Sequence, residues 1–536
     1  MQSYARGPKG IVVRKTIGDA FLETANRFAD RVALVSRHQG IRLSWAEYAH
    51  EAHRVAAGLR ALGLNPGDRA GVWATNCAEW PILQFGCALA GVVLVNVNPA
   101  NRSHELSFVL RKSRMRALFL HTQGRHSDYR SILEESRAGQ TLALEHVIYL
   151  DTAHWRDFLR DPDGVIARPD PDEPANIQYT SGTTGQPKGV LLTHVNLVNN
   201  ARFFAEYMRL TEGDRICVPV PMFHCFGCVI GTMTAAVSGA TSIFPSATFE
   251  PAAALEAIDA ERATVIYGVP AMFIAELQHP EFTRFQLTSL RTGIMAGAPC
   301  PIEIMRRVID TMHCRHMLVV YGQTEASPGI TSSRVDDDPE TRCTTVGGAM
   351  PETEVRIVSS EGETLPVGEQ GELLARGYMV MKGYDGEPEA TAEAVDAEGW
   401  LHTGDLAIMR PDGYFRITGR ARDMIIRGGE NVYPREIEEF LYTHSAIADA
   451  QVIGIPDERL GEIVVAWIRL KAGVTAGEEE IRAFCRARLA YYKVPEHIRF
   501  VDAYPMTLSG KVQKFKMREF EIAHRSLEKV AIRQTA

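Results

Sequence analysis

Apolar and polar residues alternate along this chain with a period that changes repeatedly, and each change marks an element. Ser44 and Glu47 form a capping box ahead of Val55, Leu59 and Leu62, which share one face at helical spacing, and Gly63 follows as a C-terminal cap. Short β-rich runs then predict strands over 70–73, 92–95, 117–120 and 147–150, with a helical pattern near 81–90. This alternation predicts an α/β fold of layered sheets. Further on, β-rich runs at 176–180 and 190–193 flank a segment with no periodicity, and two apolar runs within 406–418 flank Pro411, Asp412 and Gly413, a hairpin turn. After Gly419 the pattern turns to a strand over 424–426, a helix opened by Pro434 with Ile437, Phe440 and Leu441 on one face, strands over 451–455 and 464–470, and a helix from Glu478. That is a small α+β unit. The tail beyond about Glu519 reads as a frayed helix.

At 536 residues, with 45% hydrophobic and 23% charged residues, the chain has the size of two to four folding units and the balance of a soluble globular protein. A net charge of −8 supplies no field for nucleic acid, so any polyanion must be held by particular residues. The nine cysteines are scattered and odd in number, which suits a reducing cytoplasm rather than a disulfide framework. No signal peptide is legible at the start, no apolar run approaches a membrane span, and the final RQTA is neither a prenylation nor a peroxisomal signal. A cytoplasmic enzyme without a membrane-spanning segment is expected.

The aperiodic segment, YTSGTTGQPKGV at 179–190, is where chemistry enters. Gly182, Gly185 and Gly189 let backbone approach phosphate oxygens, Thr180, Ser181, Thr183 and Thr184 offer hydroxyls, and Lys188 brings a mobile charge, with Gln186 and Pro187 completing the turn. The spacing fails the GxxxxGK[ST] test of a P-loop, because counting from Gly182 puts Pro187 in place of the second glycine and Gly189 in place of the Ser or Thr.

This string resembles the phosphate-binding signature of the adenylate-forming superfamily, which holds acyl-CoA synthetases, nonribosomal peptide adenylation domains and firefly luciferase. Further matches follow in the family's order: PVPMFHCFG around His224, YGQTE at 321–325, GWLHTGD at 399–405, ITGRARDMIIRGGENVYPREIE from Ile417 and PMTLSGKVQK from Pro505. Within the superfamily the chain is most similar to the medium-chain fatty-acyl-CoA synthetase branch, through GIMAGAPCP at 293–301, GYMVMKGY at 377–384 and IRGGENVYPREIEEFLYTH at 426–444. The resemblance implies an AMP-forming reaction of ATP, a monocarboxylic acid and coenzyme A. It also implies a large N-terminal domain of layered sheets and helices over 1–419, a hinge at 420–423, and a small mobile α+β C-terminal domain over 424–536.

By the same resemblance, Thr324 is the α-phosphate donor and Glu325 a Mg²⁺ ligand, with Thr184 a second. One carboxylate plus phosphate oxygens meets what Mg²⁺ prefers. Asp405 accepts the ribose hydroxyls, Arg420 is a second ribose or phosphate contact, Gly297, Ala298 and Pro299 form the adenine strip, and Tyr321, next to Gly322, stacks on the base, with an ordinary core tyrosine as the equal alternative. Lys511 is the C-terminal lysine that reaches the α-phosphate and acyl carboxylate. Gly428 and Gly429, leading a face with Glu430, complete the coenzyme A tunnel in a second domain orientation. His224 sits at the acyl pocket and gates the thiol path, with a satisfied buried histidine as the plainer alternative. At the hinge Arg422 stands where the family has Asp or Lys.

Cys225 and Cys228 form a CxxC with no second pair at zinc spacing, in apolar surroundings, and read as core. Amino-acid adenylating relatives carry an Asp in the segment matching PMFHCFG, and none is present here. The strips 223–231, 267–273, 293–300 and 323–330 contain one charged side chain, Glu325, so the acid should carry an uncharged tail. No carrier-protein segment follows residue 520, so free coenzyme A is the expected acceptor. An aryl or thioether-acid CoA ligase of the same fold is the alternative within enzymes, and an inactive nucleotide-binding scaffold the alternative outside them.

Overall fold

The computed structural model describes the chain apart from residues 125–126, 181–186, 299, 421–422, 428–429, 458, 488, 508–509, 526 and 528–536, and gives backbone alone for 420, 430 and 431. The Ser44 capping box forms as the sequence predicts, its hydroxyl and the Glu47 carboxylate each accepting the other's backbone N–H, and starts a helix over Trp45–Ala61. Gly63 follows at φ +79°, a conformation that favours glycine.

Among the described residues, two large sheets face one another across a shared core. The seven-stranded sheet has parallel neighbours in the order Pro174–Thr180, Val93–Asn96, Arg69–Trp73, Ala117–Leu120 and His146–Tyr149. The nine-stranded sheet runs parallel through His316–Gly322, Thr292–Ala296, Val265–Gly268, Arg215–Cys217, Thr241–Phe244 and Val32–Ser36. Such strands are covered on both faces and carry continuous apolar runs such as ALFL and VIYG. The helices Glu79–Ala90 and His194–Tyr207 lie in the core that both sheets share. Every residue from Trp80 to Ala90 is buried. An apolar helix face of ordinary width would not serve there, which explains why this segment reads as apolar all round.

A five-stranded antiparallel sheet follows, with Leu401–Met409 and Phe415–Arg420 as its last hairpin, closed by the Pro411–Gly413 turn. The C-terminal unit is a second five-stranded sheet built on Ile447–Asp457 and Gly461–Leu470, with Pro434–Tyr442 and Glu478–Arg486 as its helices. The tail is no frayed end up to His524: the helix Lys514–His524 buries Met517 and Glu521 completely. The Glu521 carboxylate accepts hydrogen bonds from Trp467 Nε1 at 2.8 Å, Arg499 Nε at 2.5 Å and Arg525 Nε at 2.9 Å. A buried glutamate with cationic partners reads as surface in sequence, and the helix looked unanchored.

Among the described residues no helix is long and apolar enough to cross a membrane.

Candidate active site

The site is assembled where the two large sheets, the antiparallel sheet and the C-terminal unit meet. Pro174–Thr180 and Lys188–Thr193 form an antiparallel hairpin in which Thr180 pairs with Lys188, so the glycine and hydroxyl loop leaves from its tip. The loop residues Ser181, Gly182, Thr183, Thr184, Gly185 and Gln186 lie outside the described residues, as do Pro299, Arg422, Gly428 and Gly429. At the hairpin tip, Pro187 leads into Lys188, whose ammonium lies 4.9 Å from the centre of the Tyr384 ring.

Glu325 sits on the short turn Thr324–Ala326, just past the strand His316–Gly322. Its Oε1 accepts from the Tyr384 hydroxyl at 3.0 Å and, more weakly, from Thr180 Oγ1 at 3.4 Å. Thr324 is buried, with Cys225 Sγ 3.9 Å from its hydroxyl. Gly322 makes this turn possible, because a Cβ there would stand 1.8 Å from the Pro328 carbonyl oxygen.

The Tyr321 hydroxyl donates to Asp405 Oδ2 at 2.7 Å, which ties the end of His316–Gly322 to Leu401–Met409 of the antiparallel sheet. Asp405 is buried, and its backbone pairs with Arg420. The turn before it is gripped by Glu372, which accepts the Gly404 N–H at 3.0 Å and stands 3.2 Å from His402 Nδ1. Neither Glu372 nor Tyr384 was assigned a role by sequence. The only signal for Tyr384 was its place at the end of GYMVMKGY.

Lys511 arrives from the C-terminal unit. A Cβ on Gly297 would lie 3.8 Å from Lys511 Cε, so the lysine stem crosses the strip formed by Gly297 and Ala298. Gly510 enters at φ +78° against Val269, leaving 2.6 Å between Val269 Cγ2 and where its own Cβ would be, so only glycine fits. His224 lies close enough to Lys511 to feel its charge. Desolvation, with the Lys511 charge second, lowers its pKa to about 3. The imidazole is therefore neutral, and its Nδ1 accepts the Phe226 N–H at 3.2 Å, which leaves the proton on Nε2.

Behind His224 the chain makes a π-helical turn over Phe226–Gly231, a local irregularity of the kind that often marks functional sites. The Phe226 and Tyr267 rings lie 5.9 Å apart, and the Tyr267 hydroxyl is 3.2 Å from Thr234 Oγ1. Cys225 and Cys228 are buried, the second with its sulfur against Asn96 Nδ2 and Gln178 Nε2 at 3.4 and 3.3 Å. Among the described residues no group of three His, Cys, Asp or Glu side chains could cage a metal ion.

Residues 21–385 match the model of the AMP-binding enzyme family, and 436–511 match that of the AMP-binding enzyme C-terminal domain. The chain belongs to the AMP-binding enzyme family. Relatives of this AMP-binding enzyme include YngI of Bacillus subtilis (strain 168), named provisionally as an acyl-CoA synthetase, at 45% identity over 95% of this chain and 97% of that protein. The mouse mitochondrial medium-chain acyl-CoA ligase ACSF2 is 41% identical over 96% of this chain and 89% of its own length. Among solved structures, the anthranilate CoA ligase AuaEII in complex with anthranoyl-AMP superposes with a TM-score of 0.87 at 27% identity, covering 94% of this chain and 97% of that one.

Proposed function

We propose that the acid taken by this AMP-forming acid–CoA ligase is a medium-chain fatty monocarboxylate, activated as an acyl-adenylate and then passed to coenzyme A. The observation that carries the reading is the apolar character of the segments packed around His224. Phe226, Tyr267, Val269 and Met272 are buried in one core cluster there, and no side chain in the strips 223–231 and 267–273 is charged. A substrate ammonium would have no partner in those strips, whereas an alkyl tail gains about 0.8 kcal/mol per buried methylene.

The first half-reaction joins two anions, the substrate carboxylate and the α-phosphate of ATP. A carboxylate oxygen bonds to phosphorus as pyrophosphate leaves, and charge builds on the equatorial oxygens. The Lys511 ammonium and the Thr324 hydroxyl are the donors for those oxygens, and Lys188 with the loop 181–186 serves the β and γ phosphates. Asp405, oriented by Tyr321, takes the ribose hydroxyls, with Arg420 beside it. Mg²⁺ fits the donor set, because Glu325 offers one carboxylate and the ion otherwise favours water and phosphate oxygens. When bound, it would neutralise phosphate charge. In the second half-reaction the coenzyme A thiol attacks the acyl carbonyl and AMP departs. Neutral His224 offers Nε2–H toward that carbonyl without adding charge to an apolar pocket. Nine buried, unpaired thiols support a reducing cytoplasm as its location.

The test is coenzyme A-dependent AMP release over acids of graded length, with benzoate, anthranilate, alanine and phenylalanine included. Acids near octanoate should give the highest kcat/KM, rising with each methylene until the pocket ends. The likeness to AuaEII favours a second reading, an aryl-acid CoA ligase, and a higher kcat/KM for benzoate or anthranilate would establish it instead. Amino acids used as well as fatty acids would overturn both. Absence of carboxylate-dependent pyrophosphate exchange into ATP would leave only a nucleotide-binding scaffold.

A further inference from the structure

The segment from Met381 to Asp385 touches both halves of the nucleotide's triphosphate site. Met381 N donates to the Glu325 carbonyl oxygen at 2.8 Å, and Lys382 N to the Leu191 oxygen at 3.0 Å. Gly383 and Tyr384 pair with Leu191 and Val190 on the strand that begins at Lys188, and Asp385 N donates to the Gly189 oxygen at 2.8 Å. Below, the buried Asp385 carboxylate receives both terminal nitrogens of Arg69 at 2.7 and 2.8 Å. A two-residue strand is thereby tied down at both ends.

Tyr384 is the side chain this anchoring aims into the site. Its hydroxyl donates to Glu325 Oε1 at 3.0 Å, and its ring face lies 4.9 Å from the Lys188 ammonium. One rigid aromatic group thus touches the acidic and the basic arm of the site at once. We propose that Tyr384 is a positioning residue that fixes Glu325 and Lys188 relative to each other, so that the cation end and the phosphate end of the site form one preorganised unit. The inference rests on the reading above, in which Glu325 holds a cation and Lys188 holds phosphate. Groups that orient a metal ligand matter about tenfold or more in metal affinity, although they never touch the metal.

The test is calorimetric binding of α,β-methylene-ATP at graded Mg²⁺ concentrations, in wild type, Tyr384→Phe and Tyr384→Leu, each checked for folding by its thermal melt. Tyr384→Phe keeps the ring and loses the hydroxyl, so the Mg²⁺ concentration for half-maximal binding should rise about tenfold. Nucleotide binding in EDTA, which reads the Lys188 arm, should be unchanged. Tyr384→Leu should show the same Mg²⁺ shift and also lose several-fold in EDTA, because the ammonium has lost its aromatic seat. In turnover, the KM for the acid should stay at its wild-type value in Tyr384→Phe while the KM for ATP rises at limiting Mg²⁺. Wild-type Mg²⁺ dependence in folded Tyr384→Phe overturns the proposal while leaving the roles of Glu325 and Lys188 standing. Mg²⁺-independent binding by the wild type overturns it together with the assignment of Glu325. If Tyr384→Leu does not fold, Tyr384→Phe decides alone.

Discussion

Single residues here owe their chemistry to burial as much as to their type. Glu276, on the helix Pro270–Leu277, is 1% exposed, and neither carboxylate oxygen finds a hydrogen-bond partner among the described residues. Desolvation lifts its pKa to about 8, near a buried Cys217 thiol that the same burial keeps protonated. The folded state therefore keeps a proton that the unfolded chain releases above its ordinary carboxylate pKa. Stability attributable to this group is intact at low pH and is lost as pH rises from about 4.5 to about 8. Glu276→Gln removes the ionisation, so its Tm relative to wild type should be clearly higher at pH 8 than at pH 5. Thermal melts at the two pH values check this, and equal shifts would show that the carboxylate is solvated. His224 is the opposite case, a base held neutral at about 3, so its ionisation should leave no limb in a pH–rate profile between pH 5 and 8.

At the scale of elements, the turn between His316–Gly322 and Gly329–Ser332 shows how close backbone approach selects a residue. A methyl group on Gly322 would meet the Pro328 carbonyl oxygen at 1.8 Å, and the obstacle is main chain, which cannot rotate away. Gly322→Ala should cost about 1–3 kcal/mol or more in denaturant melts and displace Thr324 and Glu325, raising the KM for ATP. An unchanged melt would mean that the turn reopens freely. The elements themselves were largely legible. The capping box of Trp45–Ala61, the Ala117–Leu120 run and the Pro434 helix start all carry local signals that tertiary packing left intact. Ends and extensions were less so: the run read as 451–455 continues over Ile447–Asp457, because Asp449 is buried in the strand beside the Tyr442 hydroxyl at 2.5 Å. A polar residue satisfied from another element has no local signature.

For the whole molecule, the decisive fact is that Lys511 crosses from the C-terminal unit to the Gly297 strip beside His224, the arrangement that the proposed adenylation step would use. Thioester formation needs no cation at that point, and by resemblance to the family it uses a second domain orientation. Lys511→Ala should therefore lose carboxylate-dependent exchange of pyrophosphate into ATP, at a barrier cost on the order of 3 kcal/mol, while still converting supplied acyl-adenylate and coenzyme A to thioester. Equal loss of both half-reactions in a folded variant would make the lysine structural or assign one orientation to both steps. The glycines, hydroxyls and lysine at 179–190 already pointed to a polyphosphate, because a phosphate-binding turn needs those residue types contiguous in sequence, and the further motifs in order carried the resemblance to the family. Periodicity and short apolar runs likewise located the strands and helices, since burial on one face imposes a repeat on neighbouring positions and burial on both faces a continuous run. Only the tertiary structure decided which distant side chains meet: Tyr321 with Asp405, Tyr384 with Glu325 and Lys188, Glu372 with the Gly404 turn, and Glu521 with its cations. Those pairings join different elements far apart in sequence, and a local pattern records that a residue is buried or polar without recording which partner satisfies it.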